Sequence, residues 1–447
     1  MTKLSLIPAP VARKHPRELP LHGHTLRDDY AWLREKENPE TLAYLNAENA
    51  HTAAVMEPAQ PLIDKLYAEM LSHIQQTDVS VPYRDGRFDY YSRTQEGKQY
   101  PLFCRVPAEP GSPTRPAPPM EGFPDEEILL DINQLAEGQS FMSVGATSIT
   151  DDGNWLAYTT DNTGFRQYTL HVKNLLTQET MRALAVRVGA VVWAADNRTI
   201  FYSVEDEETK RPFQIFRRLL DSKGIVFTAP DLSWQDPDER FNVGVGRTRD
   251  GKYLIAEAAS HTTSEQWVLA AENPDGSFER VEPRRDNIEY YVDHREGLFF
   301  IRVNDKGRNF RLVTAPVEHC SREHWQELVP HRDDVMLEDV DLFRDFFVAC
   351  ERYQGLPRLR IHDAFTAGAG NVREISFPEP TYTAAPSINR EFDTHTYRYG
   401  YYSLVTPSST FEYDIPSGQS TLLKHVEIPG GFDRSLYASQ RVFATAP

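Results

Sequence analysis

A short motif of turn, strand, loop and strand recurs along most of this chain, and this repeat constrains the fold more than any other feature of the sequence. Its clearest copy spans residues 147–179. Residues 151–153 (Asp-Asp-Gly) have the composition of a tight turn, because Asp accepts hydrogen bonds from nearby backbone and Gly tolerates positive φ. An apolar run follows at 155–159, and residues 168–173 alternate between apolar and polar, as a half-buried strand does. A unit this small cannot bury both faces of its sheet, so the motif predicts neighbours of the same kind.

Six further segments repeat the motif, at intervals of roughly 45–65 residues. The seven copies begin at Arg84, Asp151, Ala195, Arg249, Arg295, Arg344 and Tyr397. This interval is close to that of a four-stranded β-propeller blade. A β-sandwich array is the alternative for a run of short strands, but seven copies of one unit favour a mainly β fold built as a seven-bladed β-propeller. The widest interval contains the proline-rich stretch 107–119, which we interpret as a surface insertion.

The two ends of the chain differ in composition from the repeats. Residues 39–56 and 58–76 carry apolar side chains at helical spacing, which predicts an N-terminal helical arm. After the last copy, residues 429–433 are rich in turn formers, and a strand-like segment at 437–446 is expected to need a further domain as its partner. The predicted domains are the helical arm over 1–78, the propeller over 79–424, and a linker with the start of another domain over 425–447.

Composition limits the classes to which this protein can belong. Hydrophobic residues make up 40% of the 447 residues, which suffices for a core. The net charge of −18 disfavours nucleic acid and anionic membranes as partners and is compatible with basic peptides, although an acidic surface also serves solubility alone. Cys104, Cys320 and Cys350 show neither zinc spacing nor a disulfide framework. We therefore expect a cytoplasmic protein without a metal or other cofactor.

Several stretches, taken together and in order, resemble the prolyl oligopeptidase family of serine peptidases, and most of all its oligopeptidase B branch. These stretches are His24–Glu35, Tyr90–Thr94, Lys98–Pro101, Ile128–Asn133, Gly164–Tyr168, Pro429–Asp433 and Tyr437–Arg441. The resemblance implies a propeller that caps an α/β-hydrolase domain, with 1–78 as an arm that packs on the hydrolase domain and 425–447 as a linker and its first strand. It also implies hydrolysis of short peptides after Arg or Lys, with the propeller acting as a size filter.

The residues that would carry out this hydrolysis are absent from the sequence. A peptidase of this kind uses a nucleophilic Ser on a Gly-x-Ser-x-Gly turn, followed by Asp and then His. Residues 1–447 contain no Gly-x-Ser-x-Gly. We therefore expect no catalytic residue in this chain, which would be a fragment, one piece of a nicked enzyme or a truncated gene product. The alternative function is that of a non-catalytic propeller that binds a peptide or protein.

Arg166 is the main candidate for a functional side chain in the propeller. It follows Phe165 in the polar loop between two strands of the second copy, and its planar guanidinium suits bidentate pairing with carboxylates. The resemblance implies that this region faces the hydrolase domain. Arg166, Phe165 and Gln139 are therefore candidates for substrate gating or interdomain contact. A salt bridge within the blade is an equally open alternative for Arg166.

Overall fold

The structure, a computed structural model, describes residues 8–109, 111–221, 226–368 and 370–445. The chain divides into two compact units. The first contains residues 1–75 and 428–431, and the second contains residues 76–427 and 432–447.

The first unit carries a hairpin and two helices. Strands β1 (Arg17–Leu21) and β2 (His24–Asp28) pair as an antiparallel hairpin. Helix α1 (Pro39–Met56) begins after Asn38, whose side chain accepts a hydrogen bond from the backbone of Glu40 at 2.9 Å and so satisfies one free donor of the first turn. A single 3-10 turn joins it to helix α2 (Gln60–Ser72). Both helices predicted from the sequence are therefore present, and the second ends four residues before the predicted 76.

The apolar face that the sequence indicates on the second helix is exposed in this chain. Its exposed side chains are Leu62, Leu66, Met70 and Leu71, and Ile74 after the helix is exposed as well. The face therefore contributes little to a core in the described residues.

The second unit is a seven-bladed β-propeller, and each blade is one antiparallel sheet of four consecutive strands. In blade 1 the strands are β3 (Tyr83–Asp85), β4 (Phe88–Arg93), β5 (Leu102–Pro107) and β6 (Glu127–Asp131). In blade 2 they are β7 (Ser143–Ile149), β8 (Trp155–Asp161), β9 (Thr169–Asn174) and β10 (Thr180–Val186). In blade 3 they are β11 (Val188–Trp193), β12 (Thr199–Glu205), β13 (Pro212–Leu219) and β14 (Asp231–Gln235).

Blades 4 to 7 repeat this arrangement. In blade 4 the strands are β15 (Asn242–Arg247), β16 (Tyr253–Ala259), β17 (Ser264–Ala270) and β18 (Glu279–Arg280). In blade 5 they are β19 (Tyr290–Arg295), β20 (Leu298–Val303), β21 (Arg311–Pro316) and β22 (Gln326–Val329). In blade 6 they are β23 (Val335–Leu342), β24 (Phe347–Tyr353), β25 (Leu356–His362) and β26 (Val372–Glu374). In blade 7 they are β27 (Thr383–Pro386), β28 (Thr396–Tyr402), β29 (Ser409–Asp414) and β30 (Gln419–His425).

Short helical segments occur in both units. Helix α3 (Ile132–Leu135) follows blade 1 and is capped by the side chain of Asp131. Short 3-10 helices are found at Ala31–Arg34, Glu57–Ala59, Val317–His319, Arg322–His324 and Arg434–Leu436.

The seven copies of the sequence motif correspond to the seven blades, so the predicted fold is confirmed. In blade 2 the turn at Gly153, which has φ of 70°, joins β7 to β8 as the sequence predicts. The predicted strand over 437–446 is wrong, because residues 437–445 have no strand and residue 446 lies outside the described residues. The physical reason is that an isolated strand leaves its backbone donors and acceptors without partners.

The core of the propeller lies between neighbouring blades. Six apolar clusters each join two consecutive blades, from blades 1 and 2 through to blades 6 and 7. A seventh cluster, which includes Tyr91 and Val106, belongs to blade 1 alone. Among the described residues, blades 7 and 1 therefore share no apolar cluster.

Polar contacts join blades 7 and 1 instead. Arg398 of blade 7 donates a hydrogen bond to the carbonyl of Pro82, just before blade 1. The backbone N–H of Gly86 donates to the carboxylate of Glu391 at 2.8 Å. Lys424 forms an ion pair with Asp78 at 2.6 Å. This junction, which we call the seam, is therefore held by charged and hydrogen-bonded groups.

We predict that Phe347→Ala strongly destabilises the propeller. Phe347 is fully buried in the cluster shared by blades 5 and 6, and truncating a buried Phe typically lowers the free energy of unfolding by about 3–5 kcal/mol. Phe165→Ala is the matched control, since Phe165 is 76% exposed and its truncation should change that free energy by no more than about 0.5 kcal/mol. Urea unfolding of both variants measures the difference, and equal effects would contradict the placement of the core.

Candidate functional site

The first strand of each blade lines a central channel, as in other propellers. The channel contains a cavity of about 490 Å³. Every blade contributes to its lining, and one residue from each, in blade order, is Asp85, Asp151, Trp193, Arg247, Asp293, Asp339 and Arg390. We call the end of the channel where the inner strands begin the near end, and the end where they finish the far end.

Two arginines of blade 4 cross the far end of the channel. Arg247, the last residue of β15, donates from its two terminal nitrogens to the two carboxylate oxygens of Asp151 at 2.8 and 2.9 Å. Asp151 belongs to blade 2, so this bidentate pair passes over the end of blade 3. Arg249 pairs with Asp341 of blade 6 and donates to the carbonyl of Asn389 in blade 7. Together these contacts join four blades across the far end.

Aromatic groups hold the second of these pairs in place. The Arg249 guanidinium lies 4.8 Å from the centre of the Phe343 ring. The hydroxyl of Tyr397, a fully buried residue, donates to Asp341 at 2.7 Å. Burial raises the pKa of Asp341, and Arg249 and the Tyr397 hydroxyl oppose this shift. Arg249 therefore compensates a carboxylate that burial would otherwise tend to protonate.

Asp293 is a second carboxylate of the channel with a shifted pKa. It accepts backbone hydrogen bonds from Arg249 at 3.0 Å and from His294 at 2.8 Å. Desolvation nevertheless dominates and raises the pKa of Asp293 to about 6. This carboxylate therefore titrates between the pH of an ordinary Asp and neutrality.

Two of the candidate residues named from the sequence, Phe165 and Arg166, lie in a loop of blade 2 at the near end. The third, Gln139, lies between α3 and β7. This loop, residues 162–168, joins β8 to β9, and because neighbouring strands are antiparallel it lies at the end of the blade opposite the Gly153 turn. Phe165 is 76% exposed and the side chain of Arg166 is exposed. Gln139 accepts a hydrogen bond from the Asn162 side chain at 3.0 Å. The structure thus links Gln139 to the loop that carries Phe165 and Arg166.

Asp161 fixes the conformation of this loop. Its carboxylate, which is buried, accepts hydrogen bonds from the Thr163 backbone and hydroxyl at 2.8 and 2.6 Å and from the Arg166 backbone at 2.8 Å. Desolvation would raise the pKa of Asp161, but these hydrogen bonds outweigh it and lower the pKa. Arg166 has φ of 59°, a left-handed conformation that a non-glycine residue keeps only when its surroundings hold it.

The side chain of Arg166 forms no ion pair with the described residues of the chain. The salt bridge within the blade, which the sequence left open, is therefore not formed there. The loop and the crossed arginines lie at opposite ends of the channel, so the structure does not bring them into one site.

The sequence patterns did not identify the arginines that cross the far end. Their signal is faint, because Arg247 and Arg249 flank Thr248 just before the Asp-Gly turn of blade 4. The partners of Arg247 and Arg249 are 96 and 92 residues away in the chain. Only the closed ring brings them together.

The described residues carry neither a cluster of metal ligands nor a membrane-spanning helix. The described part of the chain contains no group of three or more His, Cys, Asp or Glu side chains placed to hold a metal ion. None of its helices has the length and apolar character needed to span a membrane.

We predict a pH-dependent stability difference between the wild type and Asp293→Asn. Because the pKa of Asp293 is higher in the folded state than in an unfolded chain, folding favours its protonated form, and this contribution is lost as the pH rises from about 4 to about 6. Asn keeps an acceptor for both backbone N–H groups and does not titrate. From pH 4 to pH 7 the wild type should lose about 1–3 kcal/mol relative to the variant. Urea unfolding at four pH values measures this loss, and a constant difference would contradict the raised pKa.

Comparison with known proteins places this architecture in a family. The family model for the prolyl oligopeptidase N-terminal beta-propeller domain matches residues 10–426. Dipeptidyl aminopeptidase BI of Pseudoxanthomonas mexicana is 38% identical over 99% of this chain and 61% of its own length, and Protease 2 of Moraxella lacunata is 31% identical over 98% and 61%. Oligopeptidase B from Leishmania major, a solved structure, superposes with a TM-score of 0.86 at 28% identity, over 99% of this chain and 64% of its own. This chain thus spans about three fifths of these relatives, and it belongs to the prolyl oligopeptidase family, whose N-terminal β-propeller domain it contains.

Proposed function

We propose that this chain is the gating and size-filtering portion of a serine oligopeptidase that hydrolyses short peptides, after Arg or Lys, on an adjoining hydrolase domain. The observation that carries the proposal is the set of arginine contacts across the far end of the channel. The Arg247 and Arg249 contacts cross this end, and both arginines line the cavity of about 490 Å³.

The size of the cavity supports a filter for short peptides. Pockets that hold small ligands have volumes of roughly 300–1,000 Å³, so this cavity accommodates a few residues of an extended peptide. A folded domain of 100 residues has a radius of gyration of about 13 Å and does not fit. A propeller of this kind therefore excludes folded proteins from whatever lies at its near end.

The names of the relatives support cleavage of peptides as the reaction. They are called an aminopeptidase, a protease and an oligopeptidase. The solved oligopeptidase B structure supports the oligopeptidase B branch. In this proposal the Ser, His and Asp of the reaction lie on the hydrolase domain, and the Ser attacks the peptide carbonyl after His takes its proton.

The proposal includes a cytoplasmic location and no nucleic acid or membrane partner. Cys104, Cys320 and Cys350 are free thiols, which supports a reducing compartment. The net charge of −18 supports partners that are neutral or basic, such as short basic peptides.

The central experiment compares this chain with a polypeptide that joins it to its hydrolase domain. The joined protein should hydrolyse chromogenic peptides with Arg or Lys before the scissile bond and should leave a folded protein intact. This chain alone should hydrolyse neither. A serine within residues 1–447 that reacts with a fluorophosphonate probe would contradict the assignment of catalysis to the other domain.

A contact between Arg166 and the hydrolase domain or the peptide is part of this proposal. The guanidinium is exposed and unpaired among the described residues, on a loop that Asp161 holds in shape. Such a group is available to a carboxylate of a second domain or to a substrate peptide.

We predict that Arg166→Ala in the joined protein lowers kcat/KM for Arg-containing peptides about tenfold or more, because a hydrogen-bonded charge contributes that much. Arg344→Ala is the matched control, since Arg344 is exposed in the turn between β23 and β24 at the far end and should leave the kinetics unchanged. Small-angle scattering reports domain closure in the same samples. Unchanged kinetics together with unchanged closure would remove Arg166 from the proposal.

A non-catalytic binding module is the second candidate function. The observation that favours it is that the channel is lined by charged side chains, among them Asp293 and Asp339, that form no ion pair with the described residues. Binding of a peptide to the joined protein without any cleavage would favour this module over the filter.

A further inference from the structure

Arg302 is a charged residue on an apolar surface. It lies near the end of β20, on the face that blade 5 presents to blade 6. Because side chains alternate along a strand, Arg302 shares this face with the buried Phe300. Residues 299, 301 and 303 lie on the opposite face and pack against blade 4. The register places Arg302 opposite Tyr291 on one side and Leu312 on the other.

The Arg302 guanidinium lacks the partner that the buried arginines of this protein have. Arg302 is half-buried. The four fully buried arginines each form an ion pair, and these pairs are Arg93 with Glu126 at 2.7 Å, Arg105 with Glu127 at 2.7 Å, Arg311 with Asp305 at 2.8 Å and Arg398 with Glu412 at 2.8 Å. Arg302 has no ion pair or side-chain hydrogen bond to the described residues, and its Nε is buried without an acceptor. A charge in such surroundings is unfavourable unless a counter-charge reaches it.

Two aromatic rings determine from which direction a counter-charge can reach the guanidinium. The central carbon of the Arg302 guanidinium lies 4.4 Å from the centre of the Tyr291 ring and 4.4 Å from the centre of the Phe310 ring. Rings in this position interact with the face of the cation. The N–H donors lie in the plane of the group and remain free, and their fork matches a planar carboxylate.

The central cavity lies beside Arg302. Arg302, Tyr291 and Leu312 line it, and so does Arg249, whose Nε is likewise buried without an acceptor. Asp339 has the largest effect of any charged group on the pKa of Arg302 and Glu289 has a smaller one; both act through space, and neither forms an ion pair with Arg302. Burial lowers the pKa of Arg302, which Asp339 opposes. The arrangement is therefore a half-buried cation that lies beside two aromatic rings and lines the cavity.

We propose that Arg302 binds the free C-terminal carboxylate of a short peptide held in the channel. We infer a carboxylate as the ligand group because the guanidinium is unpaired among the described residues and lies beside the cavity. The choice of a peptide as its bearer rests on the proposed function. A bidentate contact fixes the direction of the peptide, with its C-terminus between blades 5 and 6.

The test is calorimetric titration of this chain with four peptides. Trialanine as the free acid should bind about tenfold or more tightly than trialanine amide, since a charged hydrogen bond contributes at least that much. Ala-Glu-Ala amide carries a carboxylate only on a side chain and should bind like trialanine amide, as should its Gln analogue. Equal affinity for acid and amide would overturn the proposal, and binding of the Glu amide as tight as that of the free acid would overturn the assignment to the C-terminus.

Substitutions assign the preference to Arg302. Arg302→Met removes the charge and keeps an apolar side chain of similar length, so the preference for the free acid should vanish. Arg302→Lys keeps the charge without the fork, so the preference should fall and persist in part. Arg358→Met is the matched control, because Arg358 also lies over a ring, that of Tyr353 at 4.1 Å, but pairs with Glu374 at 3.4 Å. A preference that survives Arg302→Met would overturn the proposal.

Stability measurements separate a binding role from a structural one. In the absence of peptide, Arg302→Met should unfold at the same or a higher urea concentration than the wild type, because it removes an uncompensated charge. A lower midpoint together with equal affinity for acid and amide would mean that Arg302 only supports the blade. The hydrolysis experiment on the joined protein is independent of these results. If this chain binds the free acid and the amide equally while the joined protein hydrolyses peptides, only this inference is rejected. If this chain prefers the free acid while the joined protein does not hydrolyse peptides, only the proposed function is rejected.

Discussion

Apolar contact between consecutive blades is the interaction on which this structure depends. A blade is a four-stranded sheet with two apolar faces, and each face needs a cover. Six clusters provide that cover between neighbours, so the sheets must stand side by side around an axis. The central channel is a consequence of this packing, because the inner strands meet no further sheet. Polar and charged side chains line the channel, where a ligand can reach them. The apolar contacts between the blades stabilise the fold.

The sequence predicts the middle of each blade better than its edges. The second and third strands, such as β12 with Ile200 and Phe201, are apolar on both faces and give a clear pattern. The inner strand β15 includes two glycines, and the outer strand β18 has two residues, so neither gives a clear pattern. The loop with Arg166 was predictable because its signal is local. The pairing of Arg247 with Asp151 was not, because it depends on blades that are distant in sequence and adjacent only across the closed channel.

Three of the environments that arginine has in this propeller bear on its function. Buried arginines within the blades have carboxylate partners, as Arg311 has Asp305. Arginines at the far end, such as Arg247, pair across the channel with another blade. Arg302 and Arg166 have no carboxylate partner among the described residues, one inside the channel and the other at its near end. A guanidinium pairs readily with carboxylates wherever one is within reach. Arg302 and Arg166 are therefore two positions at which this chain can accept a carboxylate from a ligand or another domain.

Forming the seam between blades 7 and 1 closes the ring of blades, and it differs from the earlier steps of folding in the sequence distance between the residues that it joins. Each blade is one continuous stretch of chain, so its own strand pairs, and most contacts with the next blade, join residues near one another in sequence. The hydrogen bond from Arg398 to Pro82 instead joins residues 316 positions apart. Closing so long a loop has an entropic cost that local contacts do not repay. Blades made early in synthesis can thus pack in order from the N-terminal side, while the circle itself stays open until the final blade meets the first. The charged groups at the seam are consequently the ones whose contacts form last.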